Sequence, residues 1–197
     1  MTSLVVATRN RGKLKEIQAF LVDLVVNVSC AADFESFPDT IEDGATFELN
    51  ALKKAREAMR FTGLAALADD SGLVVDALDG RPGVYSARFA GDAADDVANN
   101  SKLLMELEGV PSHLRQCAFV CSMAFVSPDG CEQTFTGRIG GRILDVGRGD
   151  GGFGYDPLFL VDGFDRTMAE LSIEEKNQIS HRGQALRQFR EYLEVLK

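Results

Sequence analysis

Two adjacent carboxylates, Asp69 and Asp70, stand between apolar segments in the stretch LAALADDSGLVVDALDG, residues 64–80. Aspartate is unfavourable in strands, and a buried charge without a partner is costly. Two interpretations are open: a turn in which one carboxylate accepts backbone N–H groups, or a site for a cation. Mg²⁺ takes oxygen ligands, often one or two carboxylates completed by water and phosphate. We therefore expect Asp70 to hold such an ion, to activate water, or to do both, and the acidic loop with Glu42 and Asp43 could supply another ligand.

The segment TRNRGK follows a predicted strand and opens a predicted helix. Backbone N–H groups at a helix start attract phosphate, and basic side chains add positive charge. The segment is not a Walker A loop, because it lacks the GxxxxGK[ST] pattern. It is either a phosphate-binding loop or a solvated turn before a basic helix. The candidate residues are Thr8, Arg9, Asn10, Arg11, Gly12 and Lys13.

Glycines flank two aromatic rings and a carboxylate in GGFGYDPLF, residues 151–159. Glycine allows a backbone to approach a ligand closely, an aromatic face can stack on a nucleobase, and Asp156 can accept base N–H groups. The alternative is a tight turn that Phe153 and Tyr155 anchor in the core.

Three polar residues begin a predicted helix in SHRGQAL, residues 180–186. His181 and Arg182 offer donors there, and Lys176 lies just upstream. The rigid donor fork of arginine suits a base carbonyl or a phosphate. A ligand site and a simple helix cap both remain open.

The composition restricts the class of protein. The chain has 197 residues, of which 45% are apolar, enough for one core in a single domain or in two closely joined lobes. Its net charge of −9 argues against non-specific binding to nucleic acid or acidic lipid. No apolar stretch approaches about 20 residues, so we expect neither a signal peptide nor a membrane-spanning helix. Four cysteines without a CxxC pair predict free thiols in a reducing cytoplasm.

The hydrophobic pattern predicts an α/β fold, with a mixed β-sheet flanked by helices, because strands and helices alternate early and a long hairpin comes late. The first half of the chain is predicted to contain strands at 3–7 and 25–30, helices at 12–24 and from 47, and strands at 64–68 and 73–78 that the aspartate pair separates. A helix at 94–108 and a hairpin at 116–139 follow. The last two predicted elements are a helix capped by Ser172 with Glu175 and a final helix whose apolar side ends at Leu196.

Together the candidate groups describe a nucleoside triphosphate site: phosphate donors, a metal carboxylate, a stacking ring and polar groups for a base edge. At this point the chain resembles the inosine/xanthosine triphosphate pyrophosphatase family over nearly its whole length. The segments that carry the resemblance are ATRNRGKLKE, FELNALKKA, ADDSGLVVDALDGRPGVYSARFAG, GGFGYDPLF and EEKNQISHRGQAL.

The resemblance implies Mg²⁺-dependent hydrolysis of ITP, dITP or XTP to the monophosphate and pyrophosphate. It also implies a single domain over residues 1–197, built as two lobes around a central nucleotide-binding cleft, and a cytoplasmic homodimer that binds neither nucleic acid nor membrane. Two alternatives stay open: a pyrophosphatase for other, standard or modified nucleotides, and an inactive nucleotide-binding regulator.

By position, the resemblance makes Asp70 the general base and a metal ligand, and Glu42 the second metal carboxylate. Two departures are visible: Leu49 stands where the family usually has glutamate, and Arg9 replaces a common glycine. The implied substrate contacts are Thr8, Arg9, Asn10, Arg11, Gly12, Lys13, Lys54, Ser71, Phe153, Gly154, Tyr155, Asp156, Lys176, His181 and Arg182. We expect His181 and Arg182, with Lys176, to donate to the six-position carbonyl of the purine.

Overall fold

A computed structural model describes residues 3–21, 27–93 and 95–195. The chain divides into two compact units. Unit 1 comprises Met1–Asp70, Cys121–Gly137 and Arg182–Lys197, and unit 2 comprises Ser71–Val120 and Arg138–His181. The predicted single domain with a cleft between two lobes stays a prediction.

The described residues form a mixed β-sheet with the strand order β2-β1-β3-β4-β5-β6. β1 is parallel to β2 and β3, whereas β6 is antiparallel to β5. This arrangement, with its flanking helices, confirms the predicted fold class. The elements are β1 (Ser3–Val6), α1 (Arg11–Leu21), β2 (Asn27–Cys30), α2 (Phe47–Thr62), β3 (Ala65–Val75), α3 (Asp96–Glu106), β4 (Gln116–Val126), β5 (Glu132–Ile143), β6 (Phe159–Val161), α4 (Ile173–Ile179) and α5 (His181–Val195).

In unit 1, β3 buries both of its faces, each in a different cluster. Ala65 and Leu67 belong to the cluster that includes Ile17 of α1 and Phe189 of α5. Ala66 and Ala68 belong to the cluster that contains the alanines of α2, such as Ala55. Because successive strand residues point to opposite faces, this alternation also decides the surroundings of the two residues that follow.

Helix α2 begins and ends with ordinary capping chemistry. The Thr46 hydroxyl accepts a hydrogen bond from the Leu49 amide at 3.2 Å, as the predicted cap requires. Gly63 ends the helix with a φ of 68°, a left-handed conformation that glycine adopts without strain. Between these two boundaries, the buried face of α2 consists of Asn50, Ala51, Ala55 and Ala58.

Unit 2 has its own apolar core and two capped helices. Leu73 and Val75 of β3 pack in a cluster with Phe119 and Phe159. Asp95 caps α3 through the amides of the next turn. The predicted capping box of Ser172 and Glu175 is present at the start of α4.

Two predicted boundaries are wrong. The aspartate pair does not separate two strands, because β3 runs without a break from Ala65 to Val75. Residues 76–78, predicted as the end of the second strand, form a short 3₁₀ helix. Cationic side chains compensate both carboxylates inside the strand, which removes the need for a turn. The predicted hairpin is present as β4 and β5. Some residues of predicted elements, namely 22–26, 94 and Leu196, lie outside the described residues.

Two further expectations concern the whole chain. All four cysteines are free, and three of them, Cys30, Cys117 and Cys121, are buried. Burial raises the pKa of the Cys121 thiol to about 12, so this thiol stays protonated. Among the described residues, no helix has both the length and the apolar character needed to cross a membrane.

Candidate active site

The Asp70 carboxylate of unit 1 lies in a small network of polar groups. It is 5% exposed; its Oδ1 lies 3.0 Å from the Lys54 Nζ, and its Oδ2 accepts a hydrogen bond of 3.0 Å from the Asn50 amide. The same Lys54 Nζ lies 2.9 Å from Oε1 of Glu42. Glu42 and Asp70 therefore direct one oxygen each towards a common positive charge. We call Glu42, Asn50, Lys54 and Asp70 the Asp70 cluster.

Burial and neighbouring charges shift the pKa values of both Asp70 and Lys54. Burial raises the pKa of Asp70 above its ordinary value, and nearby Glu42 adds to the rise, although Lys54 and Lys13 oppose it. The pKa of Lys54 is also raised, because the attraction of Asp70 and Glu42 outweighs the effect of burial. The lysine therefore stays protonated, while Asp70 accepts a proton more readily than an exposed aspartate does.

The neighbouring Asp69 has a different set of partners. Its Oδ2 lies 3.0 Å from Nη2 of Arg182 and 3.3 Å from Nζ of Lys13. Arg182 also binds Glu16, which is 3% exposed. Burial alone raises the pKa of Asp69, but the charges of Lys13 and Arg182 outweigh it and hold the pKa well below its usual range. We call Lys13, Glu16, Asp69 and Arg182 the Asp69 cluster.

The segment at residues 8–13 forms the start of α1. Three of its amides donate within the chain: Thr8 to the Val6 carbonyl, Asn10 to the Thr8 hydroxyl, and Lys13 to the Asn10 side chain. Asn10 therefore caps the helix. The Arg9 guanidinium donates to the Phe37 carbonyl at 2.6 Å and pairs with Asp39 at 3.0 Å, which gives this unusual residue a local role.

Unit 2 holds a further buried polar group, in which Lys176 and the backbone amide of Phe153 contact Asp156. Oδ2 of Asp156 accepts a bond of 2.8 Å from Lys176 and one of 3.0 Å from the Phe153 amide. The Lys176 ammonium also lies 5.2 Å from the centre of the half-buried Phe153 ring. Gly152, with a φ of 74°, has no room for a side chain, because a Cβ there would lie 2.1 Å from Asp156.

The rings of two further candidate residues of unit 2, Tyr155 and His181, are held in its interior. Tyr155 is 4% exposed, and its hydroxyl donates to the Ser86 carbonyl at 2.8 Å, so this ring anchors the loop in the core. His181 is 7% exposed and stacks on Phe119, with the ring centres 5.0 Å apart. Gly154 is fixed through its backbone, which bonds to Asp96 and Asn100 of α3.

The comparisons with known proteins show the family of the chain. A sequence model of the Ham1 family matches residues 4–192. The chain belongs to the Ham1 family. A protein of Geobacter sulfurreducens named dITP/XTP pyrophosphatase is 60% identical to it over 193 residues, which cover 98% of this chain and 97% of that protein.

Solved structures of Ham1 proteins give the same result for the fold. The Ham1 protein of Coxiella burnetii aligns with a TM-score of 0.89 at 44% identity, over 99% of this chain and 100% of that one. The Staphylococcus aureus Ham1 protein aligns with a TM-score of 0.88 at 40% identity, over the full length of both chains. The resemblance stated from the sequence motifs is thereby confirmed.

Sequence reasoning about this Ham1-family chain missed two residues of unit 1. Asn50 is fully buried and binds Asp70; its position one helical turn before Lys54 is a signal that pointed to it. Glu16 binds Arg182, but it stands beside the apolar positions of α1 and no local pattern marks it. Leu49, which occupies the unusual position, is 52% exposed and turns away from this network.

The carboxylate oxygens of the Asp70 cluster are suitable ligands for a divalent cation. No group of three or more histidine, cysteine, aspartate or glutamate residues that could hold a metal occurs in the part of the chain that the structure describes. Mg²⁺, however, commonly uses only one or two carboxylates and completes its shell with water and phosphate. Glu42 and Asp70 contribute two negative charges against the single charge of Lys54, so these groups retain one excess negative charge.

Proposed function

We propose that this chain is an enzyme that hydrolyses noncanonical purine nucleoside triphosphates, namely dITP, XTP and ITP. The products are the nucleoside monophosphate and pyrophosphate, and the role is to cleanse the nucleotide pool. Relatives that carry the name dITP/XTP pyrophosphatase, at 60% and 53% identity over nearly the whole chain, support this substrate class. The structural observation that carries the proposal is the pair of carboxylates, Glu42 and Asp70, that share Lys54.

Positive charge in unit 1 suits the triphosphate. We assign Lys13 and Lys54 to neutralise it, together with the segment at residues 8–13 that opens α1. Phosphoryl transfer is accelerated mainly by positioning and by neutralisation of charge, so two lysines beside the carboxylates have a direct catalytic use. Ser71, which follows Asp70 in β3, is assigned as a further contact.

Glu42 and Asp70 would hold Mg²⁺, the cofactor proposed for this site. When bound, Mg²⁺ polarises the phosphoryl oxygens of the substrate and helps to orient the reacting groups. Asp70 orients the attacking water at the α-phosphorus or takes its proton. A carboxylate can act as a general base when it lies within hydrogen-bond reach of the proton it removes.

The polar group of unit 2 is assigned to the base. Hypoxanthine and xanthine carry a carbonyl at the six-position, where adenine carries an amino group. The Lys176 ammonium, held by Asp156, and the neighbouring His181 would donate to the carbonyl, and Phe153 offers a ring face. An amino group there would leave a buried donor without an acceptor, which costs binding and gives selectivity.

Arg182 was predicted to share in base reading, and that role stays a prediction. Its guanidinium binds Asp69 and Glu16 in unit 1, so we assign it first to the Asp69 cluster.

The homodimer is likewise a proposal that rests on the family resemblance. We expect the enzyme to act in the cytoplasm, where the proposed substrates arise.

A nucleotide panel with and without Mg²⁺ tests the proposed function. Pyrophosphate and orthophosphate are measured separately for dITP, XTP, ITP, dATP, dGTP and the pyrimidine triphosphates. We expect Mg²⁺-dependent pyrophosphate release from dITP, XTP and ITP well above that from the others. A preference for pyrimidine nucleotides would favour the alternative pyrophosphatase, and tight dITP binding without pyrophosphate release would favour the inactive regulator.

A further inference from the structure

Asn50 makes two side-chain hydrogen bonds that connect separate parts of the Asp70 cluster. It is fully buried in α2. Its Nδ2 donates to Oδ2 of Asp70 at 3.0 Å, and its Oδ1 accepts from the Gly44 amide at 2.8 Å. Gly44 lies two residues after Glu42, so one amide side chain connects the loop that carries Glu42 with the strand that carries Asp70.

The close fit around Gly44 is an independent sign that this connection is specific. A Cβ at residue 44 would lie 2.6 Å from Oδ1 of Asn50, nearer than real side chains approach. A side chain at this position would therefore push the loop away from α2 and break the hydrogen bond. The backbone at Gly44 and the amide of Asn50 are matched to each other.

We propose that Asn50 is a positioning residue, which holds the Asp70 carboxylate and the Glu42 loop in the arrangement that hydrolysis requires. The inference rests on the proposed function and extends it to a residue that has no assigned part in it. Because Asn50 occupies Oδ2 of Asp70, the carboxylate cannot rotate freely, and Oδ1 stays directed towards Lys54.

An amide suits this position better than a charged group does. Asn50 is neutral, so it orients Asp70 without competing with a cation for its negative charge. Lys54 also contacts both carboxylates, but its charge makes it a partner for phosphate as well. Groups that orient the carboxylates of a metal site typically alter metal affinity or activity by about 10- to 100-fold when removed.

A matched control exists in unit 2. Asn99 is also a buried asparagine within a helix, and both ends of its side-chain amide are bonded. Its Oδ1 accepts from the Ala90 amide at 2.7 Å, and its Nδ2 donates to the Ala87 carbonyl at 3.0 Å. Among the described residues, the Asn99 amide bonds backbone groups of Ala87 and Ala90, which have no assigned role, so its loss measures the structural cost of such an amide.

The test compares Asn50→Ala and Asn50→Asp with Asn99→Ala and Asn99→Asp. For each variant we measure the melting temperature, kcat and KM for dITP, and, for the alanine variants, the affinity for Mn²⁺ without nucleotide by electron paramagnetic resonance. We expect Asn50→Ala to lower kcat and Mn²⁺ affinity by about 10- to 100-fold each, with a much smaller change in KM. Asn99→Ala lowers the melting temperature but leaves kcat and Mn²⁺ affinity at the wild-type values.

Asn50→Asp keeps the size and the acceptor for Gly44 but loses the donor to Asp70, so it provides the kcat test if the alanine variant does not fold. An unchanged kcat in both Asn50 variants and an unchanged Mn²⁺ affinity in Asn50→Ala, with stability losses like those of the Asn99 variants, would overturn the proposal. If the wild-type protein releases no pyrophosphate from dITP, the proposed function fails, and Mn²⁺ affinity alone then decides whether Asn50 positions the carboxylates.

Discussion

The two adjacent aspartates of β3 have the same side chain and opposite electrostatic surroundings. The Asp69 cluster combines two carboxylates with two cations, Lys13 and Arg182, so its named charges balance. The Asp70 cluster combines two carboxylates with the cation Lys54, so its named charges leave one excess negative charge. Burial raises the pKa of Asp70 and Glu42 adds to the rise, whereas at Asp69 the charges of Lys13 and Arg182 outweigh burial and lower the pKa.

The alternation of a β-strand produces this difference. Asp69 points to the face packed by α1 and α5, which supply its partners Lys13 and Arg182, whereas Asp70 points to α2, which supplies Asn50 and Lys54. Titratable groups whose surroundings separate their pKa values often have different roles in a reaction. We infer that Asp69 stabilises the site and that Asp70 performs the chemistry.

The largest expected effect is a loss of turnover when the Asp70 cluster, and not the Asp69 cluster, is changed. Asp70→Asn keeps the size of the side chain but removes the proposed base and a metal ligand. We expect kcat for dITP to fall by about 100- to 10,000-fold, while the protein still binds the nucleotide. Steady-state kinetics and nucleotide titration measure the two quantities, and near-wild-type turnover would remove Asp70 from the reaction.

The second effect concerns stability. Glu16→Gln leaves the buried Arg182 with Asp69 and Lys13, so the cluster carries an excess positive charge. We expect a loss of about 3–5 kcal/mol in the free energy of unfolding, measured with urea, because breaking a buried ion pair strands a charge. A stability equal to that of the wild type would mean that Glu16 contributes nothing to the Asp69 cluster.

The third effect is a pH dependence. The folded state lowers the pKa of Asp69, so this carboxylate adds stability at pH values above its unfolded pKa of about 4, and that contribution is lost as the pH falls through the lower folded pKa. In EDTA, the wild-type unfolding free energy should therefore decrease on acidification below pH 4, by at most about 1.4 kcal/mol per pH unit from this one proton. Asp69→Asn should show a shallower slope, and an equal slope would contradict the assignment.

The smallest effect provides a control on exposed charge. Lys53 pairs with Asp43 at 2.7 Å, next to Lys54 in the sequence, but this pair faces solvent. Exposed ion pairs contribute little, so Lys53→Met should leave turnover and melting temperature nearly unchanged. A loss comparable to that of Lys54→Met would show that net charge near α2, and not the buried cluster, controls activity.

Local sequence patterns were sufficient to predict most of the helices and strands. Helical spacing and the Thr46 cap placed α2, and the apolar runs around Pro128 placed the β4–β5 hairpin. The aspartate pair was wrongly predicted to be a break between strands, because the cations that compensate its negative charge are distant in the sequence. Arg182 lies 113 residues from Asp69 along the chain, and no spacing rule connects them.

The candidate site was predicted unevenly for the same reason. The family resemblance assigned Glu42, Lys54 and Asp70 to one chemistry, and the structure brings these three together. Residue type alone did not distinguish Tyr155, which is a core residue, from the half-buried Phe153 beside it. Burial decides such cases, and burial depends on distant packing.

The most direct test of the division between the two aspartates is to measure kcat per folded molecule and the unfolding free energy for Asp69→Asn and Asp70→Asn in parallel. We predict that Asp69→Asn loses mainly stability and that Asp70→Asn loses mainly turnover. The opposite pattern, or equal losses of both quantities in both variants, would contradict the separation of roles.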